Sequence, residues 1–197
     1  MATIIRIPDR STVGHVIVVP LKQFDLAKER LRIEGAQDVT ALAERLAANV
    51  LAHCLPLRVI VLSESDSVSE FASRHGAEVW RSTSRSLNEA VQRAYQDLGT
   101  RFDRITIVHG DLRDPEGLGQ FEPEAGVTIF TDHRGDGTNV FSLPTGLDFR
   151  FAYGHRSARA HDREVRRLRV PGRVISNSPW RFDVDEVSDL TGPPDGI

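Results

Sequence analysis

Apolar residues recur along the chain in two patterns, short continuous runs and helical stripes. His15–Pro20, Arg58–Ser63 and Arg104–His109 are runs dominated by β-branched and other apolar residues, which is typical of strands buried on both faces. After the first run, Asp38 stands where a helix N-cap is expected, and the apolar residues from Val39 to Leu51 form one helical stripe. Strands that alternate with helical stripes predict βαβ units and a mostly parallel sheet.

Further elements extend this alternation towards the middle of the chain. A short helix follows the second strand and is expected to end at Gly76, and a short strand is expected over Glu78–Trp80. Ser86 and Glu89 have the spacing of a capping box, in which each side chain accepts a hydrogen bond from the other residue's amide. They precede a helical stripe that runs to Leu98.

In the last third of the chain, predicted strands and helices no longer alternate regularly. Strands are predicted over Val127–Phe130 and Val140–Leu143, around a polar loop from Asp132 to Asn139. An arginine-rich helix from about Ser157 to Arg169 and a last strand over Arg173–Ser176 follow. The sequence therefore predicts an α/β protein: one Rossmann-like domain over residues 1–190, a three-layer α/β/α sandwich with a doubly wound, mostly parallel mixed sheet. The Gly- and Pro-rich residues 191–197 are predicted to be a disordered tail.

The composition narrows the class of protein. The 197 residues are 40% hydrophobic and 27% charged, as in globular proteins, and the formal net charge of −3 argues against a dedicated nucleic-acid-binding protein. No apolar run approaches the ~20 residues of a membrane helix, and residues 1–14 lack the apolar core of a signal peptide. Cys54 has no second cysteine to pair with and is interpreted as a small core residue. We expect a cytoplasmic monomer or homodimer that binds neither nucleic acid nor membrane.

Seven arginines lie between positions 156 and 173 and are followed by an acidic stretch. A solvated helix face explains them, and so does the local attraction of an anionic substrate. The sequence leaves both interpretations open.

Parallel sheets bind ligands at the carboxyl ends of their strands, and the loop after the first strand is strongly cationic. It contains Lys22, Lys28, Arg30 and Arg32, which could neutralise the phosphates of a nucleotide or could face solvent. The chain lacks the glycine patterns of a P-loop and of a dinucleotide-binding turn, so neither class is indicated.

Carboxylates form the second candidate group. Asp111 ends the third strong strand, and Asp183 and Asp185 are two residues apart on a late extended segment. Carboxylates that converge from different strands can hold Mg²⁺ on a triphosphate. The late pair could equally cap a final short helix that ends near Leu190.

Two glycine-containing turns form the third group. Thr138 and Asn139 follow Gly137, and Gly154 precedes Ser157 and a downstream His161. These residues offer hydroxyl, amide and backbone donors to an anion, although Gly and Asn also favour plain turns and Ser157 suits a helix N-cap. His161 could orient a neighbouring side chain or simply pack.

Taken together, the motifs make the chain resemble the 2-phospho-L-lactate (or phosphoenolpyruvate) guanylyltransferase family of coenzyme F-420 biosynthesis. Six matches occur in the family's order. They are Val19-Pro20-Leu21-Lys22 with Ala27-Lys28-Glu29-Arg30-Leu31; Leu87-Asn88; Asp111-Leu112; Gly137-Thr138-Asn139; Phe151, Tyr153, Gly154 and Ser157 with His161; and Asp183, Asp185 and Asp189-Leu190.

The resemblance implies a nucleotide-diphospho-sugar transferase-like fold and a Mg²⁺-dependent transfer of GMP from GTP to the phosphate of a small phospho-acid. By motif, Lys22, Lys28 and Arg30 would hold the triphosphate beside Pro20, and Leu87 and Asn88 would line the base pocket. Asp111, Asp183 and Asp185 would hold the metal, with Lys22, Lys28 and Asp111 as the catalytic set. Thr138, Asn139, Gly154 and Ser157 would bind the acceptor.

Two departures from the family pattern keep alternatives open. The chain has Arg113-Asp114-Pro115 where the family continues Pro-Leu, and Ser86 stands in place of a glycine. The alternatives are an enzyme that uses another acceptor such as 3-phosphoglycerate, an enzyme that uses another nucleotide, and a non-catalytic homologue that only binds a nucleotide. An interaction module that uses the arginine cluster is a fourth.

Overall fold

A computed structural model describes residues 14–84 and 86–191, and its centre is a seven-stranded sheet. The strands are β1 (His15–Pro20), β2 (Arg58–Ser63), β3 (Glu78–Arg81), β4 (Arg104–Val108), β5 (Val127–Thr131), β6 (Thr138–Pro144) and β7 (Gly172–Ile175). Their order is β3-β2-β1-β4-β6-β5-β7, and β6 alone among them runs antiparallel to its neighbours. The mostly parallel mixed sheet is confirmed.

Helices cover both faces of the sheet. They are α1 (Glu29–Ile33), α2 (Val39–His53), α3 (Asp66–Arg74), α4 (Leu87–Leu98), α5 (Ser157–Leu168) and α6 (Val187–Thr191), with 3₁₀ turns at Phe24–Leu26, Leu118–Gln120 and Pro179–Arg181. The helix predicted to stop at Gly76 ends two residues before it, and Gly76 takes the left-handed conformation (φ +75°) that favours glycine.

Alternating side chains of each central strand face two separate cores. Ile17 and Val19 of β1 pack into the core beneath α2 and α3, whereas Val16 and Val18 pack into the core beneath α4 and α5. Because both faces are covered, the central strands carry buried apolar residues on both sides, and the predicted α/β/α layers are confirmed. Cys54 is fully buried, and burial raises the pKa of its thiol to about 12, in agreement with a core role.

The sheet reverses its order of growth beside β1. The chain adds β2 and β3 on one side of β1, and then α4 leads back to β4 on the other side. The carboxyl ends of β1 and β4 therefore diverge, and such a switch point opens the crevice in which doubly wound sheets bind ligands.

Several strand boundaries differ from their predictions by one or two residues, and the start of β6 is the difference that affects the site. The polar loop was expected to extend to Asn139, but β6 begins at Thr138, which pairs with Thr131 of β5. The main chain of Asn139 also accepts a hydrogen bond from the amide of His109 at 3.0 Å. Thr138 and Asn139 are thus buried strand residues, and their turn-like composition concealed this.

Three helix starts are placed correctly, but their capping chemistry is not the predicted one. Asp38 precedes α2 in the left-handed conformation and its side chain makes no capping hydrogen bond. Ser86 likewise makes none, because Glu89 bonds Ser84 and Arg93 instead of closing a capping box. Arg156, not Ser157, is the N-cap of α5.

Residue 191 ends α6, and the rest of the predicted tail lies outside the described residues. Within 14–84 and 86–191, no helix is both long and apolar enough to cross a membrane.

We expect truncation of Leu143 in β6 to destabilise the protein strongly. Leu143 has no exposed surface, and Leu143→Ala should lower the free energy of unfolding by about 2–5 kcal/mol because a cavity remains. Ile33→Ala, at a position 78% exposed, should change it by less than ~0.5 kcal/mol. Urea denaturation measures both, and equal losses would contradict the assignment of β6 to the core.

Candidate active site

A cleft with a volume of about 600 Å³ lies at the carboxyl ends of β1, β2 and β4. The loop after β1 forms one side, and the segment before α4 forms another. Its lining includes Pro20, Lys22, Lys28, Arg30, Leu87, Asp111 and Asp185, all of them residues singled out from the sequence. The cleft occupies the switch point of the sheet, where the topology alone places a ligand site.

The loop after β1 is held in place from its apolar side. The Phe24 ring packs edge-on against Phe71 of α3 with centroids 4.8 Å apart, and Arg32 donates hydrogen bonds to the carbonyls of Phe24 and Ala27 at 3.1 and 3.2 Å. Lys28 then takes a left-handed conformation (φ 57°, ψ 44°), which is uncommon for a residue other than glycine. These constraints aim Lys28 at the floor of the cleft.

The ammonium group of Lys28 lies between two carboxylates. Lys28 Nζ donates a hydrogen bond to Asp111 Oδ2 and a second one, 3.1 Å long, to Asp185 Oδ1, while only 7% of the Lys28 side chain is exposed. Burial opposes the charge of Lys28, but Asp111 and Asp185 outweigh it and raise the pKa of Lys28. Burial likewise opposes the charge of Asp111, and Lys28 and His109 hold the pKa of Asp111 below its usual value.

Asp183 is the third carboxylate of the group. A short antiparallel bridge between Leu112 and Asp183 attaches the C-terminal segment to the chain after β4. Asn139 donates a hydrogen bond to Asp183 Oδ1 at 3.2 Å. Burial, followed by the charges of Asp111 and Asp185, raises the pKa of Asp183.

These carboxylates fit a hard cation in their chemistry. Asp111 Oδ1 is buried and has no hydrogen-bond partner among the described residues, and carboxylate oxygens are the ligands that divalent cations such as Mg²⁺ prefer. In residues 14–84 and 86–191, no three acidic, His or Cys side chains already form a metal cage. Lys28 supplies the positive charge between the carboxylates.

Arg30 and Asn88, two of the residues predicted to bind the nucleotide, differ in their position relative to the cleft. Arg30 is 65% exposed at its side chain and pairs with Glu186 at 3.4 Å beside the cleft. Asn88 is not among the residues that line the cleft. Its amide donates to the carbonyl of Tyr153 at 3.1 Å and accepts from the Tyr153 amide at 2.6 Å, so it positions the Tyr153 segment.

The predicted acceptor residues form a buried network beside the cleft. Thr138 Oγ1 hydrogen-bonds Ser157 Oγ at 3.2 Å and His161 Nδ1 at 3.1 Å, and these two hydroxyl residues are 1% and 2% exposed. His161 Nε2 accepts from the Ala152 amide at 3.0 Å, and burial lowers the pKa of His161 to about 4. His161 is therefore neutral, with its proton on Nδ1 directed at Thr138. Gly154 precedes this network with φ +121°.

His109 is a cleft residue that the sequence analysis passed over. It lines the cleft beside Asp111, and its ring centroid lies 5.5 Å from that of Tyr153. The sequence feature that could have pointed to His109 is its position at the end of a buried strand, two residues before Asp111. A single histidine there could not be told from an ordinary strand end.

Of the two departures from the family pattern, Arg113-Asp114 lies away from the cleft and Ser86 lines it. Arg113 places its guanidinium over the Phe182 ring at 4.5 Å, and Asp114 accepts the amide of Glu116, so this departure from the family pattern is absorbed locally. The arginines of α5 are exposed, and Arg166 and Arg167 pair with acidic residues of the same helix, as a solvated face requires.

Solved structures of nucleotidyltransferases share this fold. Similar solved structures include a protein of Desulfovibrio desulfuricans assigned to the nucleotide-diphospho-sugar transferases (TM-score 0.68, 17% identity, 89% of this chain and 84% of that one). A nucleotidyl transferase from Methanothermobacter has a TM-score of 0.61 at 15% identity, with 90% and 94% of the two chains covered. At these identities the likeness concerns the fold, and the predicted nucleotide-diphospho-sugar transferase-like architecture is confirmed.

Sequence comparison identifies the family. The family model described as guanylyl transferase, CofC-like, matches residues 15–192, so the chain belongs to this family. A phosphoenolpyruvate guanylyltransferase of Sphaerobacter thermophilus is 27% identical over 89% of this chain and 90% of its own length. A 2-phospho-L-lactate guanylyltransferase of Methanothermobacter thermautotrophicus is 28% identical over 88% and 81%. The chain is accordingly a nucleotidyltransferase, a class of enzyme that generally uses a divalent metal.

We expect Asp183→Asn to stabilise the metal-free protein at neutral pH. The raised pKa of Asp183 means that its charged form is disfavoured by folding, so the penalty is present above the folded pKa and disappears as the pH falls through it. Thermal unfolding in EDTA should show a higher Tm at pH 7, with a gain that shrinks towards acidic pH. Asp148→Asn, at a side chain 81% exposed, is the control. A lower Tm at pH 7 would contradict the assigned repulsion.

Proposed function

We propose that the protein transfers GMP from GTP to the phosphate of phosphoenolpyruvate or 2-phospho-L-lactate and releases pyrophosphate, as a cytoplasmic step of coenzyme F-420 biosynthesis. The observation that carries the proposal is Lys28 between Asp111 and Asp185 on the floor of a cleft at the switch point. Family membership and the names of the similar guanylyltransferases support the nucleotide and the acceptors.

An oxygen of the acceptor's phosphate attacks the α-phosphorus of GTP in this reaction. A new P–O bond forms while the bond from the α-phosphorus to the oxygen that bridges to the β-phosphate breaks, and pyrophosphate leaves with that electron pair. The acceptor supplies the nucleophile, so the protein contributes positioning and charge neutralisation. Lys22, Lys28 and Arg30 carry the positive charge that the triphosphate requires on one side of the cleft.

The carboxylates have the complementary role. Asp111 and Asp185, with Asp183 beside them, are the residues that would hold Mg²⁺, which drains charge from the phosphates when bound. Lys28 bonds the same two carboxylates. If its ammonium group bonded oxygens of the triphosphate instead, Asp111 and Asp185 would be available to the cation. Leu87 and Ser86 line the cleft, and Leu87 would contact the base.

The decisive experiment incubates the protein with GTP and Mg²⁺ together with phosphoenolpyruvate, 2-phospholactate or 3-phosphoglycerate and follows pyrophosphate release. We expect release with one of the first two acids. Asp111→Asn should lower kcat by about 100-fold or more, because charge stabilisation in the transition state is lost. Asp148→Asn retains a normal rate as the matched exposed aspartate.

Other outcomes have clear meanings. Release with 3-phosphoglycerate alone would reassign the acceptor, and release with another nucleotide in preference to GTP would reassign the donor. Calorimetric binding of GTP without release from any acid would indicate a non-catalytic homologue and refute the proposed activity. Full activity of Asp111→Asn would remove the metal assignment.

A further inference from the structure

Three buried side-chain atoms lack a hydrogen-bond partner in the described part of the chain: His109 Nε2, Asp111 Oδ1 and the Tyr153 hydroxyl. The free oxygen of Asp111 suits the cation discussed above. The histidine nitrogen and the tyrosine hydroxyl have no part in that chemistry, yet a buried polar atom without a partner destabilises a folded protein. Buried polar atoms in folded proteins are otherwise almost always paired.

Tyr153 is held by hydrogen bonds to its main chain and by neighbouring rings against its side chain. The Asn88 amide bonds both the carbonyl and the amide of Tyr153, at 3.1 and 2.6 Å. The Tyr153 ring lies parallel to that of Phe151, with centroids 6.3 Å apart, and packs edge-on against His161 at 4.9 Å. The Tyr153 hydroxyl is therefore buried at a position where no described residue forms a hydrogen bond with it.

His109 connects Tyr153 with the cleft. Its amide is bonded to the carbonyl of Asn139, and its side chain lines the cleft next to Asp111. The rings of His109 and Tyr153 are 5.5 Å apart with an angle of 39° between their planes. His109 lines the cleft and Tyr153 packs behind it, and we call these two residues the wall.

Thr138, Asn139 and Ser157, which the sequence predicts to bind the acceptor, are buried and do not line the cleft. Thr138 and Ser157 are 1% and 2% exposed, and their hydroxyls bond one another. His109, in contrast, lines the cleft. The wall also stands beside the carboxylates, where an acceptor must lie to reach the α-phosphate.

We propose that the His109 imidazole and the Tyr153 hydroxyl bind the phosphate oxygens of the acceptor, a small phosphate monoester, and so determine where the attacking oxygen lies. The inference rests on the proposed function and assigns two acceptor-binding residues to it. Phosphate oxygens accept hydrogen bonds, and burial raises the pKa of Tyr153, so the hydroxyl keeps the proton that it donates. The ligand would satisfy both atoms that the free protein leaves unpaired.

Tyr153→Phe provides the sharpest test, because it removes only the unpaired hydroxyl. We expect an unchanged or higher Tm of the free protein, an acceptor KM raised by about tenfold or more, and an unchanged KM for GTP. Tyr95→Phe is the matched control. The Tyr95 hydroxyl donates to the Pro144 carbonyl at 2.8 Å and accepts from the Leu147 amide at 3.1 Å, so its loss should lower the Tm and leave both KM values unchanged.

His109→Leu and His109→Gln test the second residue. The leucine variant should raise the acceptor KM, and the glutamine variant, whose amide retains a donor, should recover part of the loss. An equal defect in both, or a raised KM for GTP, would show that His109 has a different role. A Tm that falls in Tyr153→Phe as much as in Tyr95→Phe would overturn the inference, since the hydroxyl would then have a partner in the free protein.

Thermal stabilisation by phosphoenolpyruvate separates this inference from the proposed function. If the wild type is stabilised but releases no pyrophosphate, the proposed activity fails, and loss of stabilisation in Tyr153→Phe would still support the binding wall. If the wild type is active and Tyr153→Phe has unchanged acceptor kinetics, the wall is wrong and the activity stands. No stabilisation and no turnover with any of the acids would overturn both.

Discussion

The ion pairs of Lys28 with Asp111 and Asp185 join three distant parts of the chain. Lys28 belongs to the loop after β1, Asp111 follows β4, and Asp185 lies on the C-terminal segment. Removing one member of a buried ionic group leaves an uncompensated charge, which is far more costly than losing a surface pair. The closed floor of the cleft therefore depends on this contact, and so does the distribution of charge available to a substrate.

The surrounding structure adds electrostatic repulsion to this interaction. Asp183 brings a third carboxylate whose pKa is raised by burial and by its two acidic neighbours, and Lys28 occupies a left-handed conformation. A single ammonium group is shared among carboxylates that a divalent cation and a triphosphate would satisfy more completely. Such stored strain is expected where a protein must exchange its internal contacts for contacts with ligands.

The side proposed to bind the acceptor follows a different principle. On that side the neighbouring groups are aromatic rings instead of carboxylates. The His109 ring packs against Tyr153, and the Tyr153 ring packs against His161. Hydrogen bonds position this wall: Asn88 holds the Tyr153 main chain, and Asn139 joins β6 to Asp183. The cleft thus has a charged side suited to a nucleotide and its cation, and the rings of His109, Tyr153 and His161 lie on another side, where His109 lines the cleft.

The sequence by itself determined the architecture and most of the charged side. Continuous β-branched runs and helical stripes require a sheet covered on both faces, and the ordered motifs identified Lys28, Asp111 and Asp185. Sequence patterns could not show that Asn88 bonds Tyr153, that Thr138 and Ser157 are buried, or that His109 faces the cleft. These facts depend on contacts between residues 19 to 65 positions apart. Only the packing of β6, α4 and α5 decides them, because local composition at a turn or a helix start is compatible with either a buried or an exposed side chain.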